Sequence, residues 1–382
     1  LANVTSTSID DLNVSGDKVL TLTSTAGMSG LINVAVTGTA GLTGTFAATT
    51  MKTIDTSGTT GKATITFDAT KATYTGGAGV DAVTTSAIAP TKAISLGVGN
   101  DSLTLASGTT AVTGAISGGD GTDTLVMVAA DIVTADNVLA FSSLVTGFEA
   151  LTVTGGIGAQ AINLTNMAIT SNITVATGAG TLTVNNIANG GTLTLTGDRA
   201  GDGVTLVNAL FGAVAATADV INVTMGAAAG FDGGTVTAAN VETINLAALD
   251  LYTTASAHTL ALVADKATTL NVTGNAGAAL TLTSSVKLAT LDASASTGAV
   301  SATSVSTAAI TMKGGSAGDS FTANGTTAST LIGNGGADTL TTNGGLTTLT
   351  GGDGLDLFVI ATAGANDGIY STITDASAGD RI

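Results

Sequence analysis

The sequence predicts an all-β fold in which the chain winds as a parallel β-helix, or β-solenoid, with glycine- and aspartate-rich segments of β-roll type. Short alternating runs of threonine and aliphatic residues recur at a nearly constant interval in the second half of the 382-residue chain. The 52 glycines accompany one proline, Pro90, so tight turns are frequent while nearly every backbone N–H stays free to join a hydrogen-bond ladder. Hydrophobic residues make up 44 % of the chain and aromatic residues only 3 %, with no Trp. The apolar content is therefore mostly Ala, Val, Leu and Ile, which suit the thin space between closely stacked strands.

The regular runs are TTLNVTG (268–274), ATLDASA (289–295), AITMKGG (309–315), TLIGNGG (330–336) and TTLTGGD (347–353). Taking the first aliphatic residue of each as its anchor gives Leu270, Leu291, Ile310, Leu331 and Leu349, spaced by 21, 19, 21 and 18 residues. One alternating run per period of about 20 is the signature of coils that stack and bury an aliphatic ladder. Related runs at 52–58, 150–156, 181–184, 192–198 and 243–248 are less evenly spaced. Their period of two predicts one wet and one buried face. Segments 135–144 and 207–218 carry the best helical pattern and read as connectors. The expected organisation is a β-rich segment at 1–89, a turn-rich cation-binding segment at 90–155, a β-coil segment at 156–265, and a β-helix running into a β-roll at 266–382.

Two nonapeptides, GGDGTDTLV (118–126) and GGDGLDLFV (351–359), fit G-G-x-G-x-D-x-U-x, U being a large apolar residue, at every specified position. The glycines allow a turn whose carbonyl oxygens converge, the position-six aspartate adds a carboxylate, and the position-eight residue anchors the next strand. Oxygen ligands without nitrogen or sulfur select Ca²⁺. The candidate ligand turns are thus Gly118, Gly119, Asp120, Gly121 and Asp123, and Gly351, Gly352, Asp353, Gly354 and Asp356. Three weaker copies each keep the position-six aspartate. They are Gly333, Gly335, Gly336 and Asp338, with Asn334 at position two; Gly314, Gly315 and Asp319, with Ala317 at position four; and Gly97, Gly99 and Asp101, with Leu96 at position one. Asp319, Asp338 and Asp356 are 19 and 18 residues apart, which places their turns one above another at about 4.8 Å per coil. The bland reading of each copy is a Gly-Asp turn that only caps a strand. Asp10, Asp11 and Asp17 are expected to be solvated turn residues.

The charge balance agrees. Of 27 acidic residues only Glu149 and Glu242 are glutamates, and the formal net charge is −17 against 10 basic residues. Short carboxylates suit turns and cations, whereas no basic patch exists to neutralise phosphates, which argues against nucleic acid. Cysteine is absent, so disulfides and thiol chemistry are excluded. Mean hydropathy is +0.50, yet no run approaches the roughly 20 apolar residues of a transmembrane span. His258 is expected to be a partly exposed strand residue without catalytic use, and no enzyme activity is expected. The N-x-T matches at Asn172, Asn222 and Asn271 fit rung positions better than glycan acceptors. Leu1 follows no Met and no leader pattern, which suggests a piece of a longer chain.

Taken in order, APTKAISLGVGNDSLTL, AISGGDGTDTLV, GFEALTVTG, NVETINLAA and KATTLNVTGNAG resemble the calcium-binding C-terminal part of RTX-type bacterial surface-layer proteins from about residue 90 onward. The resemblance implies a calcium β-roll, export by type I secretion, and self-association into an extracellular two-dimensional lattice on the bacterial cell surface. It implies that an anchoring domain or lipopolysaccharide-binding region would lie outside this chain. ITDASAGDRI (373–382) is similar to the segment that closes such rolls, which makes Asp375 and Asp380 candidate ligands. The alternatives of different kind are a repeat segment of a secreted RTX adhesin or biofilm protein, and a secretion roll detached from a protease or lipase.

Overall fold

The computed structural model describes residues 8–22, 27–87, 89–109, 111–169, 171–178, 180–211, 218–251, 256–323, 328–343, 346–360 and 370–382. It is all-β, with parallel strands stacked as a β-solenoid of about 15 turns, and it divides into two compact units, Leu1–Ile173 and Thr174–Ile382.

In the first unit each coil contributes one strand to each of two parallel ladders. One ladder runs through Asp11–Gly16, Asn33–Gly38, Thr53–Thr59, Thr73–Thr75, Ile94–Ser95, Ile116–Ser117 and Val145–Thr146. The other pairs Leu20–Leu22, Leu42–Phe46, Ala63–Phe67, Ala82–Thr85, Ser102–Thr104, Thr124–Val128 and Ala150–Thr154, each with the next. Inward residues stack along the axis: Leu12, Val34, Ile54, Tyr74, Ile94, Ile116 and Val145 on one side, and Ile65, Val83, Leu103, Leu125 and Leu151 on the other. The expected connector helix forms, but as two pieces, Ala129–Asp136 and Leu139–Leu144, beginning six residues earlier than its apolar pattern indicates. Burial of Ala129, Ile132 and Ala135 explains the earlier start, as does Asp131, whose Oδ2 accepts the N–H groups of Gly108 and Thr109 at 2.8 and 3.2 Å.

In the second unit one ladder aligns Ile221, Ile244, Leu270, Leu291, Met312, Leu331, Leu349 and Ile373. The regular runs are therefore stacked strands, with one correction: Met312, not Ile310, stands between Leu291 and Leu331. Ile310 and Met312 have the same parity and both point inward, so alternation alone cannot separate them. The corrected steps are 21, 21, 19 and 18 residues. The other ladder aligns Leu280, Ala302, Phe321, Leu340 and Phe358. Outside, Thr243, Thr269, Thr290, Thr311, Thr330, Thr348 and Thr372 form a continuous threonine file. Beside it, Asn271 Nδ2 donates to Asn245 Oδ1 at 2.8 Å and Asn245 Nδ2 to Asn222 Oδ1 at 2.9 Å, so two of the N-x-T matches are rungs of an asparagine ladder.

Strand pairing continues across the 89/90 and 265/266 positions. Of the second helical segment, Val207 ends a strand and 208–211 make a turn, while 212–217 lie outside the described residues.

Leu331 is fully buried between Met312 and Leu349. Leu331→Ala should cost about 2–5 kcal/mol in urea unfolding followed by circular dichroism. The outward neighbour Thr330→Ala should cost less than about 0.5 kcal/mol. Equal losses would contradict the register.

Candidate metal centre

The position-eight residues set the geometry of the turns. Val83, Leu103 and Leu125 pair in register in the first unit, as do Phe321, Leu340 and Phe358 in the second. The aspartates two residues earlier are therefore stacked as well. Asp101, Asp123, Asp319, Asp338 and Asp356 are each 2 % exposed or less. So is Asp81, which the structure adds to the sequence-derived set. Its nonapeptide, GGAGVDAVT (76–84), meets the pattern at every specified position and is legible once alanine is accepted at the unspecified third place.

Each carboxylate caps a backbone amide of the coil before it. Asp101 Oδ1 accepts the Asp81 N–H at 2.7 Å, Asp123 Oδ1 the Asp101 N–H at 2.8 Å, and Glu149 Oε2 the Asp123 N–H at 2.8 Å. In the second unit Asp319 Oδ1 accepts the Val300 N–H at 2.6 Å, Asp338 Oδ1 the Asp319 N–H at 2.6 Å, Asp356 Oδ1 the Asp338 N–H at 2.9 Å, and Asp380 Oδ1 the Asp356 N–H at 3.0 Å. The two glutamates do the same work, since Glu242 Oε2 accepts the Asp219 N–H at 3.0 Å.

The second carboxylate oxygens divide into two kinds. Asp81 Oδ2 accepts the Tyr74 hydroxyl at 2.8 Å, and Asp319 Oδ2 accepts the Gly315 N–H at 2.7 Å. Asp101, Asp123, Asp338 and Asp356 each bury an Oδ2 that has no hydrogen-bond partner. A buried oxygen in that state is costly unless a proton or a cation answers it.

The position-one glycines show what surrounds these oxygens. A Cβ at Gly118 would meet Asp123 Oδ2 and the Gly147 carbonyl oxygen; at Gly314, Asp319 Oδ2 and the Gly333 carbonyl; at Gly333, Asp338 Oδ2 and the Gly351 carbonyl. At Gly351 it would meet Asp356 Oδ2. The unpartnered oxygens of Asp123 and Asp338 thus share a glycine with a main-chain oxygen of the neighbouring coil, and the same pairing recurs at Asp319, whose Oδ2 already has its donor. Positions two and four serve differently: Gly119 and Gly121 have φ of +110° and +142° and lie against the Gly97 and Gly99 carbonyls. Gly97, Gly99, Gly336, Gly352 and Gly354 share that positive φ, whereas Gly315 and Gly335 do not.

Of the remaining predicted residues, two point away from the aspartate ladders and two bond the last turn of the second ladder. Asp120 and Asp353 are exposed on the outside of their turns. Asp375 accepts the N–H groups of Gly351 and Gly352 at 2.9 and 2.8 Å. Asp380 engages both oxygens, its Oδ2 accepting the Ser377 N–H at 2.7 Å. Among the described residues no three His, Cys, Asp or Glu side chains converge as a metal cluster. The donor set is instead one carboxylate per turn with main-chain carbonyls, which fits a hard oxygen-seeking cation such as Ca²⁺ and not a thiophilic metal.

In the second unit one cationic side chain was missed by sequence reasoning, Arg199, and one titratable side chain, His258, is buried where partial exposure was expected. Arg199, 1 % exposed, sits in the turn before Gly203–Val207. Its Nη1 donates to the carbonyls of Ala176 and Gly178, both at 3.4 Å, and its Nη2 to those of Gly180 at 3.0 Å and Gly203 at 3.4 Å. Burial lowers its pKa, with Asp202 acting in the opposite sense. A guanidinium thus fills a cage of main-chain oxygens. The preceding Gly197 and the following Asp202 and Val204 keep positions one, six and eight of the nonapeptide, which is the available sequence signal. His258, expected to be partly exposed, is fully buried. Its Nε2 bonds the Leu249 carbonyl at 3.0 Å, its Nδ1 accepts the Phe231 N–H at 3.4 Å, and its ring lies 4.5 Å from that of Phe231. Its strand, Ala257–Val263, alternates His258, Leu260 and Leu262 on the buried face, which is the sequence signal for its burial.

No family model matches the chain, and no curated protein matches it.

Burial raises the pKa of Asp101 to about 6, with Asp81 and Asp123 adding repulsion, and that of Asp338 to about 6, with Asp319 and Asp356 adding theirs. Burial also raises Asp81, Asp123 and Asp319. A pKa raised on folding gives stability that is complete below the unfolded value of about 4 and is lost as pH rises through the folded value. In chelator, the melting temperature should therefore fall from pH 4 to pH 7, and Asp101→Asn with Asp338→Asn should flatten that fall. A melting temperature that climbs over this interval would refute the assignment. Separately, Arg199→Met should cost about 1–3 kcal/mol by leaving carbonyls unanswered. Faster hydrogen exchange confined to the strands around Gly180 and Gly203 would report it.

Proposed function

We propose that the chain is a structural subunit of a calcium-dependent bacterial surface layer, exported by type I secretion and consolidated outside the cell by Ca²⁺ at its stacked turns. The observation that carries the reading is the set of buried, unpartnered Oδ2 atoms of Asp101, Asp123, Asp338 and Asp356, repeated on successive coils. When bound, Ca²⁺ would supply positive charge and coordination to oxygens of adjacent turns. Asp101, Asp123, Asp338 and Asp356 would hold it, with carbonyls such as those of Gly147 and Gly351 beside them.

The chain's own residues explain the dependence. At neutral pH and low calcium, as in cytosol, the stacked carboxylates repel one another and resist burial, so coil stacking is disfavoured and the chain stays open for export. At the millimolar calcium of many external media, an ion bound only by the folded turns shifts the balance toward the stack by linkage. The threonine file gives a continuous hydroxyl-bearing side for lateral packing, and the asparagine file beside it runs on into Asp292 and Lys313. No catalytic role is assigned: His258 is sealed from solvent with both ring nitrogens engaged.

The reading is tested by titrating chelated protein with Ca²⁺, using Mg²⁺ as control, while following circular dichroism and electron micrographs. Ca²⁺ should raise β-structure and produce ordered sheets, and Asp338→Asn with Asp356→Asn should require at least about tenfold more Ca²⁺. Folding into filaments or monomers would favour an adhesin repeat, and no response would overturn the calcium reading.

A further inference from the structure

The sequence, with 27 acidic and 10 basic residues, leads to the expectation of no basic patch, yet the fold brings three lysines that are far apart in the chain into one groove. Lys52 immediately precedes the strand Thr53–Thr59, Lys71 lies two residues before Thr73–Thr75, and Lys92 two before Ile94–Ser95. They come from three successive coils of the first unit, on the edge opposite its aspartate turns. The groove between them has a volume of about 700 Å³, and all three side chains are exposed. Among the described residues the ion pairs are Lys18 with Asp17 and Lys266 with Asp265, so none of the three is neutralised. No carboxylate lines the groove; the nearby Asp68 turns its Oδ1 to the N–H and hydroxyl of Thr70 at 2.8 and 2.7 Å.

We propose that this groove binds a linear acidic polysaccharide laid along the stack. Convergent like charges without counter-charges repel, and a bound polyanion relieves that repulsion. The rest of the lining is rich in hydroxyls. Thr50 donates to the Leu31 carbonyl at 2.9 Å and Thr73 to the Lys52 carbonyl at 3.4 Å, which leaves their oxygens free to accept from sugar hydroxyls, and Thr49 is exposed beside them. No aromatic ring lines the groove for stacking a nucleobase, and none of the exposed large hydrophobic residues borders it for insertion into a lipid surface. Spacing along coils about 4.8 Å apart suits charges carried at intervals on an extended chain. At about 0.1 M salt the Debye length is roughly 10 Å, so the chain's distant negative charge is screened while contacts inside the groove persist.

The test uses the whole chain with sulfated dextran, unsulfated dextran of equal length, single-stranded DNA and phosphatidylglycerol vesicles, in about 0.1 M NaCl. Sulfated dextran should bind and be released as salt rises. Lys52→Gln, Lys71→Gln and Lys92→Gln combined should weaken it at least about tenfold, with circular dichroism and melting temperature unchanged because the side chains are exposed. The matching Lys→Arg triple should retain binding, and Lys266→Gln with Lys287→Gln should leave it intact. Undiminished binding by the Gln triple, equal loss in the Lys266 and Lys287 variant, equal binding of unsulfated dextran, or tighter binding of DNA or vesicles would overturn the proposal.

Discussion

Stacking coils at sheet spacing presses the turn of one coil against the backbone of the next, and that contact decides which residues the turns accept. The position-one glycines stand where any Cβ would strike a neighbouring carboxylate or carbonyl oxygen. The position-six aspartates are short enough to enter the stack and reach the amide one coil away. Where a glutamate takes that place, at Glu149 and Glu242, it makes the same bond with one more methylene, and Glu149 remains exposed while doing so. The preference for aspartate over glutamate throughout the chain thus has a steric cause as well as an electrostatic one.

The same contact makes the turns unstable in isolation. Each amide cap between coils is favourable, because an N–H that the ladder leaves unpaired is answered by a charged acceptor. Yet capping uses only one carboxylate oxygen. The price is a second oxygen brought under cover with it, and stacking several such groups adds mutual repulsion to desolvation. The raised pKa values of Asp101 and Asp338, each flanked by carboxylates on both neighbouring coils, express that conflict.

Much of this was legible in the sequence because repetition carries phase. The alternation of threonine with aliphatic residues places the files, and the nonapeptides place the aspartates two residues ahead of an inward anchor. What escaped depends on contacts between coils, which a single run does not encode. Ile310 and Met312 are both inward, so only pairing with Leu291 and Leu331 distinguishes them. His258 is different: it has the inward parity of Leu260 and Leu262, so the alternation of its own strand already marks it as buried, and the expectation of exposure follows its polarity instead. Arg199 reads as a surface charge in a glycine turn, and its burial becomes visible only when the carbonyls of the preceding coil are in place.

Those exceptions clarify the rule at the turns. The fold answers its buried oxygens in three ways without any ion: a tyrosine hydroxyl at Asp81, a glycine amide at Asp319, and a guanidinium among the carbonyls around Arg199. Asp81 and Asp319 are each the first rung of an aspartate ladder, and each is followed by two rungs whose second oxygen has no such donor. An internal donor at the first rung lets one coil set the register in which the next is stacked. The rungs beyond it repeat the amide cap but lack the donor, so a proton answers their second oxygen at low pH, and the proposed cation would answer it near neutrality. Asp81 and Asp319 share the cost of burial, as their raised pKa values show, but the unanswered second oxygen belongs to the rungs that follow them.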